Sequence, residues 1–259
     1  LVSSSAASDV YKRQVLFSKA MMPLFLGMGG YNFLLKQLGF NNYMDKLDAM
    51  YTRMNSDESK ALLTKLMAFQ LLGYLKVKLP LNTPEYWQGI DKMKSIANKS
   101  DLIEVPYKPH QLYMHDLNEL GFPVKIYLHS IALFTTYTVH HYRKTVSANK
   151  VIQAEEGDIV LDLGGCYGDT GLYFANRVGA SGKVYTFEFI PSNKEILNKN
   201  LDLNPELKSR ITLVENPLWD KSGINVFYKD RGASSQVSFD KSANLDGETT
   251  TVNLSLIHI

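Results

Sequence analysis

Cysteine is nearly absent from this 259-residue chain: Cys166 stands alone, so no intramolecular disulfide forms. A lone thiol fits a reducing, cytoplasmic setting. Metal-type Cys/His spacing is lacking too, so no zinc site is expected. The formal net charge is only +2, and no block of five or more basic residues occurs. On that balance no nucleic-acid partner is expected. There is no internal repeat and no low-complexity tract. The dinucleotide fingerprint G-x-G-x-x-G is missing, because Cys166 occupies the place of its second glycine counted from Gly164. What remains is a chain that is 45% hydrophobic, enough for a globular core.

The two ends have their own character. LVSSSAASDVYKRQ (1–14) and SLIHI (255–259) resemble translated sequencing adapter of the kind found on metagenomic fragments. They are set aside from fold reasoning. The expectation is therefore a fragment with both native termini missing. Residues 15–35 are mostly apolar, but Lys19, Pro23 and three glycines interrupt them. They read as a buried or amphipathic helix, with membrane association the lesser alternative.

Residues 15–104 read as a helical region. Over 57–72, Leu62, Leu66, Phe69 and Leu72 recur at three- and four-residue spacing, the stripe of a core-facing helix. Thr83-Pro84 opens another helix, with Thr83 as its cap. Residues 105–149 form a hairpin and a helix leading into the next domain. QLYMHDL (111–117) and VKIYLH (124–129) are the strands, and 130–143 the helix. Tyr107, Tyr113, Tyr127, Phe134, Tyr137 and Tyr142 read as packing residues rather than pocket lining. His140 and His141 are adjacent and point about 100° apart on a helix, so they do not share an ion.

From 150 to 254 strands and helices alternate: strand 158–164, helix 169–178, strand 183–189, helix 192–203, strand 210–216. Short connections between them imply a parallel α/β sheet. Three short strands follow within 223–254. The expected class is α/β, an incomplete Rossmann-like sheet behind a mostly helical N-terminal region with a hairpin.

The chemistry concentrates in VLDLGGCYGDTGLYFA (160–175). A strand ends at Asp162 and enters Gly164, Gly165 and Gly168. Glycine there lets the backbone turn and lets a ligand approach without a Cβ in the way. The spacing D-x-G-x-x-x-G is similar to the first motif of S-adenosylmethionine methyltransferases. A carboxylate below the loop suits an ammonium or sulfonium and repels phosphate. Glu188 ends the next strand, where a carboxylate reaches a ribose diol.

Together with GKVYTFEFIPSNKEILNKNLDLNP (182–205) and ITLVENPLWDKSG (211–223), this stretch resembles the FkbM family of methyltransferases over roughly 150–254. The resemblance implies a class I methyltransferase fold and S-adenosyl-L-methionine as cofactor (EC 2.1.1 class). It further implies transfer to a hydroxyl of a small molecule or glycan. Asp162, Gly164, Gly165, Cys166 and Gly168 would surround the methionine moiety, Glu188 would hold the ribose, Phe189 would flank the adenine, and Asn216 would line its edge. Trp219 and Asp220 match a family pattern without an assigned role. The family's acidic D-x-E-G motif does not follow, so no catalytic residue is assigned and the fragment is expected to be inactive alone. The alternatives are a nicotinamide-dependent Rossmann oxidoreductase and a non-catalytic nucleotide-binding adaptor.

Overall fold

In a computed structural model, the structure describes residues 44–107, 110–218, 225–238 and 252–253. The segments 1–14, 15–35 and 255–259, and Trp219-Asp220, lie outside the described residues. The chain divides into two compact units, Leu1–Trp87 and Gln88–Ile259.

The first unit contains helices α1 (Met44–Arg53) and α2 (Asp57–Leu72) and the start of α3 (Pro84–Ser95). Ser56 caps α2 by accepting from the Ser59 N–H, and Thr83 caps α3 by accepting from Tyr86 N–H as expected. The stripe expected on α2 is corrected. Leu62, Leu66 and Leu72 are exposed, while Leu63 and Ala68 are buried. Apolar residues run almost all round this helix, so spacing alone does not select the inward face. No described helix is long and apolar enough to cross a membrane.

The second unit opens with an antiparallel sheet in the order β1-β2-β3 (Ala97–Glu104, Gln111–Asp116, Lys125–Leu128). The last two are the expected hairpin, turned by the Asn118–Leu120 3-10 helix and Gly121 at φ 84°. Strand β1 is a correction: 97–104 was expected to be helical. Its first half, Ala-Asn-Lys-Ser-Asp, has no apolar alternation, and it is an edge strand held only by β2. The helix expected over 130–143 is shorter. It comprises α4 (Ser130–Leu133) and a π-helical turn, Phe134–Thr138. Two short strands follow, β4 (Lys144–Ser147) and β5 (Lys150–Ile152), paired antiparallel.

The α/β alternation then appears as read. Strands β6 (Ile159–Leu163), β7 (Lys183–Phe187) and β8 (Ile211–Val214) form a parallel sheet in that order. Helices α5 (Asp169–Arg177), α6 (Pro191–Asp202) and the short α7 (Pro205–Lys208) connect them. Leu172, Ala175, Val184 and Leu197 are fully buried between helices and sheet. Each of the two leucines and the valine contributes about 1.5–3 kcal/mol of transfer free energy. On β6, by contrast, Ile159, Leu161 and Leu163 alternate on a solvent-facing side. Strands β9 (Asn225–Lys229), β10 (Gln236–Ser238) and β11 (Val252–Asn253) pair antiparallel in the order β10-β9-β11.

Of the aromatic residues before the parallel sheet, Tyr137 serves packing. Tyr137 meets Phe122 and Tyr173 edge-on, at centroid distances of 4.9 and 5.7 Å. Its hydroxyl donates to the Asp169 carbonyl, and Thr136 Oγ1 donates to Asp169 Oδ2. The π turn is thereby fastened to the start of α5.

Candidate functional site

The loop between β6 and α5 requires unusual backbone at three positions: Gly164, Cys166 and Gly168 have φ of 106°, 45° and 88°. Glycine meets this without strain, whereas Cys166 is an L-residue in the left-handed region. What holds Cys166 there is Glu188. Its Oε2 accepts from the Cys166 N–H at 2.9 Å, and its Oε1 accepts from the Ile190 N–H at 2.8 Å. Asn193 Nδ2 donates to Oε2 at 3.2 Å. The end of β7 thus fixes the loop after β6.

The glycines divide by role. A Cβ on Gly164 would meet nothing within 4 Å, so this position faces open space. A Cβ on Gly165 would fall inside the Thr186 methyl, and one on Gly168 would press on Leu197 at 3.3 Å. Those two, with Gly171 against Thr186 Oγ1, admit close helix–strand packing. Of the three loop glycines, Gly164 alone faces open space, while Gly165 and Gly168 face Thr186 and Leu197.

Around this loop lies a cavity of about 410 Å³. Gly164, Cys166, Glu188, Phe189 and Asn193 line one part of it, and Pro217, Leu218, Val226 and Ala233 another. That volume is within the usual range for a small-ligand site. Phe189 stands edge-on to Tyr228 at 5.4 Å, which fixes its ring at the rim.

Asp162 is not part of that wall. It is buried under the loop, and both of its oxygens accept from Thr170 Oγ1 at 2.9 Å. Asn216 is exposed past the end of β8 and does not line the cavity; its neighbours Pro217 and Leu218 do. Proline and leucine fill an apolar wall that a solvated amide does not enter. Sequence reasoning missed Thr170 and Asn193. Each is an ordinary helix residue whose role appears only once its partner carboxylate is placed.

Three acidic groups share this neighbourhood. Burial pushes Asp162 up to about 6, with the charges of Asp169 and Glu188 adding to it against the Thr170 hydrogen bond. Burial also raises Asp169 and Glu188. Burial, reinforced by the same carboxylates, pushes the Cys166 thiol up well beyond its ordinary range, so it is no nucleophile. Among the described residues no cluster of three or more His, Cys, Asp or Glu suits a metal ion.

No protein-family model and no curated protein matches the chain. Among the solved structures that match it, two cover about a quarter of the chain. One, assigned as an rRNA-methylase from Clostridium thermocellum, is 28% identical with a TM-score of 0.23, over 25% of this chain and 35% of that one. The other, fibrillarin from Aeropyrum pernix in complex with natively bound S-adenosyl-L-methionine, is 24% identical with a TM-score of 0.23, over 26% of this chain and 27% of that one. The chain therefore spans about a third of the length of the first and about a quarter of the second. Because a matching protein is named for rRNA, the expectation of no nucleic-acid partner does not stand. Its premise was a chain-wide charge balance, whereas phosphate contacts need only a local group of basic side chains assembled by the fold.

Proposed function

We propose that the chain carries the cofactor-binding part of an S-adenosylmethionine-dependent methyltransferase of the FkbM type, acting in the cytoplasm on a hydroxyl acceptor. One observation carries this reading: Glu188, at the end of the second parallel strand, clamps the glycine loop of the first strand beside a cavity that both line. The domain division at about 150, with a hairpin-and-helix segment before it, belongs to the same proposal.

The residues present fit the cofactor. Glu188 accepts three hydrogen bonds. These bonds hold the carboxylate where it lines the cavity, in place for a ribose hydroxyl. Gly164 leaves room for a ligand against its backbone. Phe189 offers an aromatic ring to the cavity, and the carboxylate of Glu188, which lines it, favours a cationic guest. When bound, S-adenosylmethionine supplies the activated methyl group. The chain's own part is to hold and orient it, which accounts for much of the rate in such transfers. Gly165 and Gly168 act indirectly, by letting α5 and α6 approach the sheet. No residue is assigned as general base.

Calorimetric titration with S-adenosylhomocysteine and with NAD tests the reading. The homocysteine compound is expected to bind and NAD not to. Binding of NAD alone would overturn the proposal. Substituting Glu188→Ala is expected to weaken S-adenosylhomocysteine by about tenfold or more, and unchanged affinity would remove Glu188 from the site.

A further inference from the structure

A second and larger cavity, of about 850 Å³, opens between β1, β2 and the start of α4. Its polar wall is made almost wholly of hydrogen-bond donors. Lys94 and Lys99 stand at its exposed rim with His110. Half-buried Gln111, Tyr113, His129 and Ser130 also line it. Among the described residues, no carboxylate lines this cavity.

The hydrogen bonds already made fix what these groups have left. Gln111 Oε1 accepts from the Tyr113 hydroxyl at 2.6 Å, which commits the amide oxygen and leaves the NH2 to donate. His129 Nδ1 accepts from the Ala132 N–H at 3.3 Å, so the ring is neutral and its proton is on Nε2. Burial lowers the basicity of that ring, in keeping with the same tautomer. Ser130 Oγ lies 3.5 Å from His115 Nε2 and lines the same wall. Lys94 also touches Asp91 at 2.8 Å. That pair is exposed on both sides, and such pairs contribute little to hold a side chain in place. His110 sits on the rim at φ 66°, backbone strain of the kind that gathers at ligand clamps.

From this donor set we propose that the cavity is a binding site for a phosphate-bearing ligand. A phosphate monoester carries about −1.5 to −2 charges and three strong acceptor oxygens. Two lysines match the charge, and Gln111 and His129 supply neutral donors for the oxygens. A carboxylate would leave several of these donors unanswered. Ala97 and Ile131 give the wall an apolar part, and Tyr113 an aromatic one, against which an attached sugar or base packs. The site is independent of the cavity beside Glu188 and shares no lining residue with it.

The phosphate has two possible sources, a small phosphorylated metabolite and a nucleic-acid backbone, and the test separates them. The full chain is titrated calorimetrically with ribose 5-phosphate, with ribose, and with a short single-stranded RNA lacking terminal phosphates. Saturable binding of ribose 5-phosphate with ribose inert supports the metabolite source. Binding of the RNA alone supports the site with backbone phosphates as its ligand. In either case Lys94→Ala combined with Lys99→Ala is expected to weaken binding about tenfold or more. Gln111→Leu is expected to do so without changing the charge. The lysines are exposed, and thermal melting checks that the variants stay folded. No saturable binding of either probe, or binding that none of these substitutions alters, overturns the site.

Discussion

Asn200 pairs with Tyr127 as one strand pairs with another: its Oδ1 accepts from the Tyr127 N–H at 2.8 Å and its Nδ2 donates to the Tyr127 carbonyl at 3.1 Å. Just past the end of α6, Asn204 does the same to Lys125, accepting from its N–H at 2.8 Å and donating to its carbonyl at 2.6 Å. Lys125 and Tyr127 are two apart on β3, so both turn their backbone groups to the edge that β2 leaves open. Helix α6 and the residue that follows its cap thus close the open edge of β3. Asn200 Nδ2 also reaches the Tyr167 carbonyl at 2.8 Å, tying that edge to the glycine loop.

Replacing Asn200 by alanine strands three backbone groups at once. Each lost buried bond costs about 1–3 kcal/mol when its partner stays unsatisfied. Asn200→Ala is expected to lower stability by roughly 3 kcal/mol in urea unfolding. Asn200→Asp is expected to be worse, because a carboxylate would face two carbonyl oxygens. A loss below about 0.5 kcal/mol for alanine would show that the edge is held by other means.

The crowding between Gly165 and Thr186 gives a sharper test, because the clash is with one methyl group. Gly165→Ala is expected to cost about 1–3 kcal/mol. Thr186→Ser removes that methyl and is expected to recover much of the loss in the double variant. Gly171→Ala meets Thr186 Oγ1 instead, at 2.8 Å, and serine retains that oxygen. The same rescue should fail there. Equal rescue of both alanine variants would contradict the packing described.

Asp162 makes stability depend on pH with a definite sign. Its carboxyl is pushed up to about 6 in the folded chain, against about 3.9 when unfolded. The folded state therefore keeps a proton that the unfolded chain releases. Its contribution is full below about pH 4 and is lost as pH rises through about 6. At pH 7 the buried charge costs up to roughly 3 kcal/mol. Asp162→Asn, which retains an oxygen for Thr170, is expected to be the more stable form above pH 6, with the gain vanishing near pH 4. Chemical unfolding of both proteins across this range measures it, and parallel curves would refute the assignment.

Cys166 is half-buried and its thiol is held protonated by burial and the nearby carboxylates. Alkylation by iodoacetamide at pH 8 is expected to be at least about a hundredfold slower in the folded chain than in urea, since only the thiolate reacts. Comparable rates would place the thiol in a polar, open setting.

The alternation from β6 to β8 was legible because short apolar runs, glycine turns and helical stretches follow one another, and the observed ends fall within two residues of those expected. The loop and Glu188 were legible for the same reason: a strand end followed by glycines has few other uses. Contacts made across the fold were not. Asn200 and Asn204 look like the solvent side of a helix, yet they are 0% and 6% exposed because β3 covers them. Strand β1 has the composition of a loop and exists through its partner. Asp162 carries the expected residue type, but Thr170, on the next helix, claims its oxygens. Asn216 shares the third strand's end with the cavity wall, and only the chain's path past β8 puts Pro217 and Leu218 there in its place.

Ile159, Leu161 and Leu163 are 72%, 50% and 60% exposed on β6. Parallel sheets are ordinarily covered on both faces. A bare aliphatic ladder of this kind behaves as an adhesive in water. It draws in any greasy surface within reach, including that of another copy. In practice the chain should elute earlier from a sizing column as its concentration rises, and sulfate, which strengthens apolar burial, should enhance the shift.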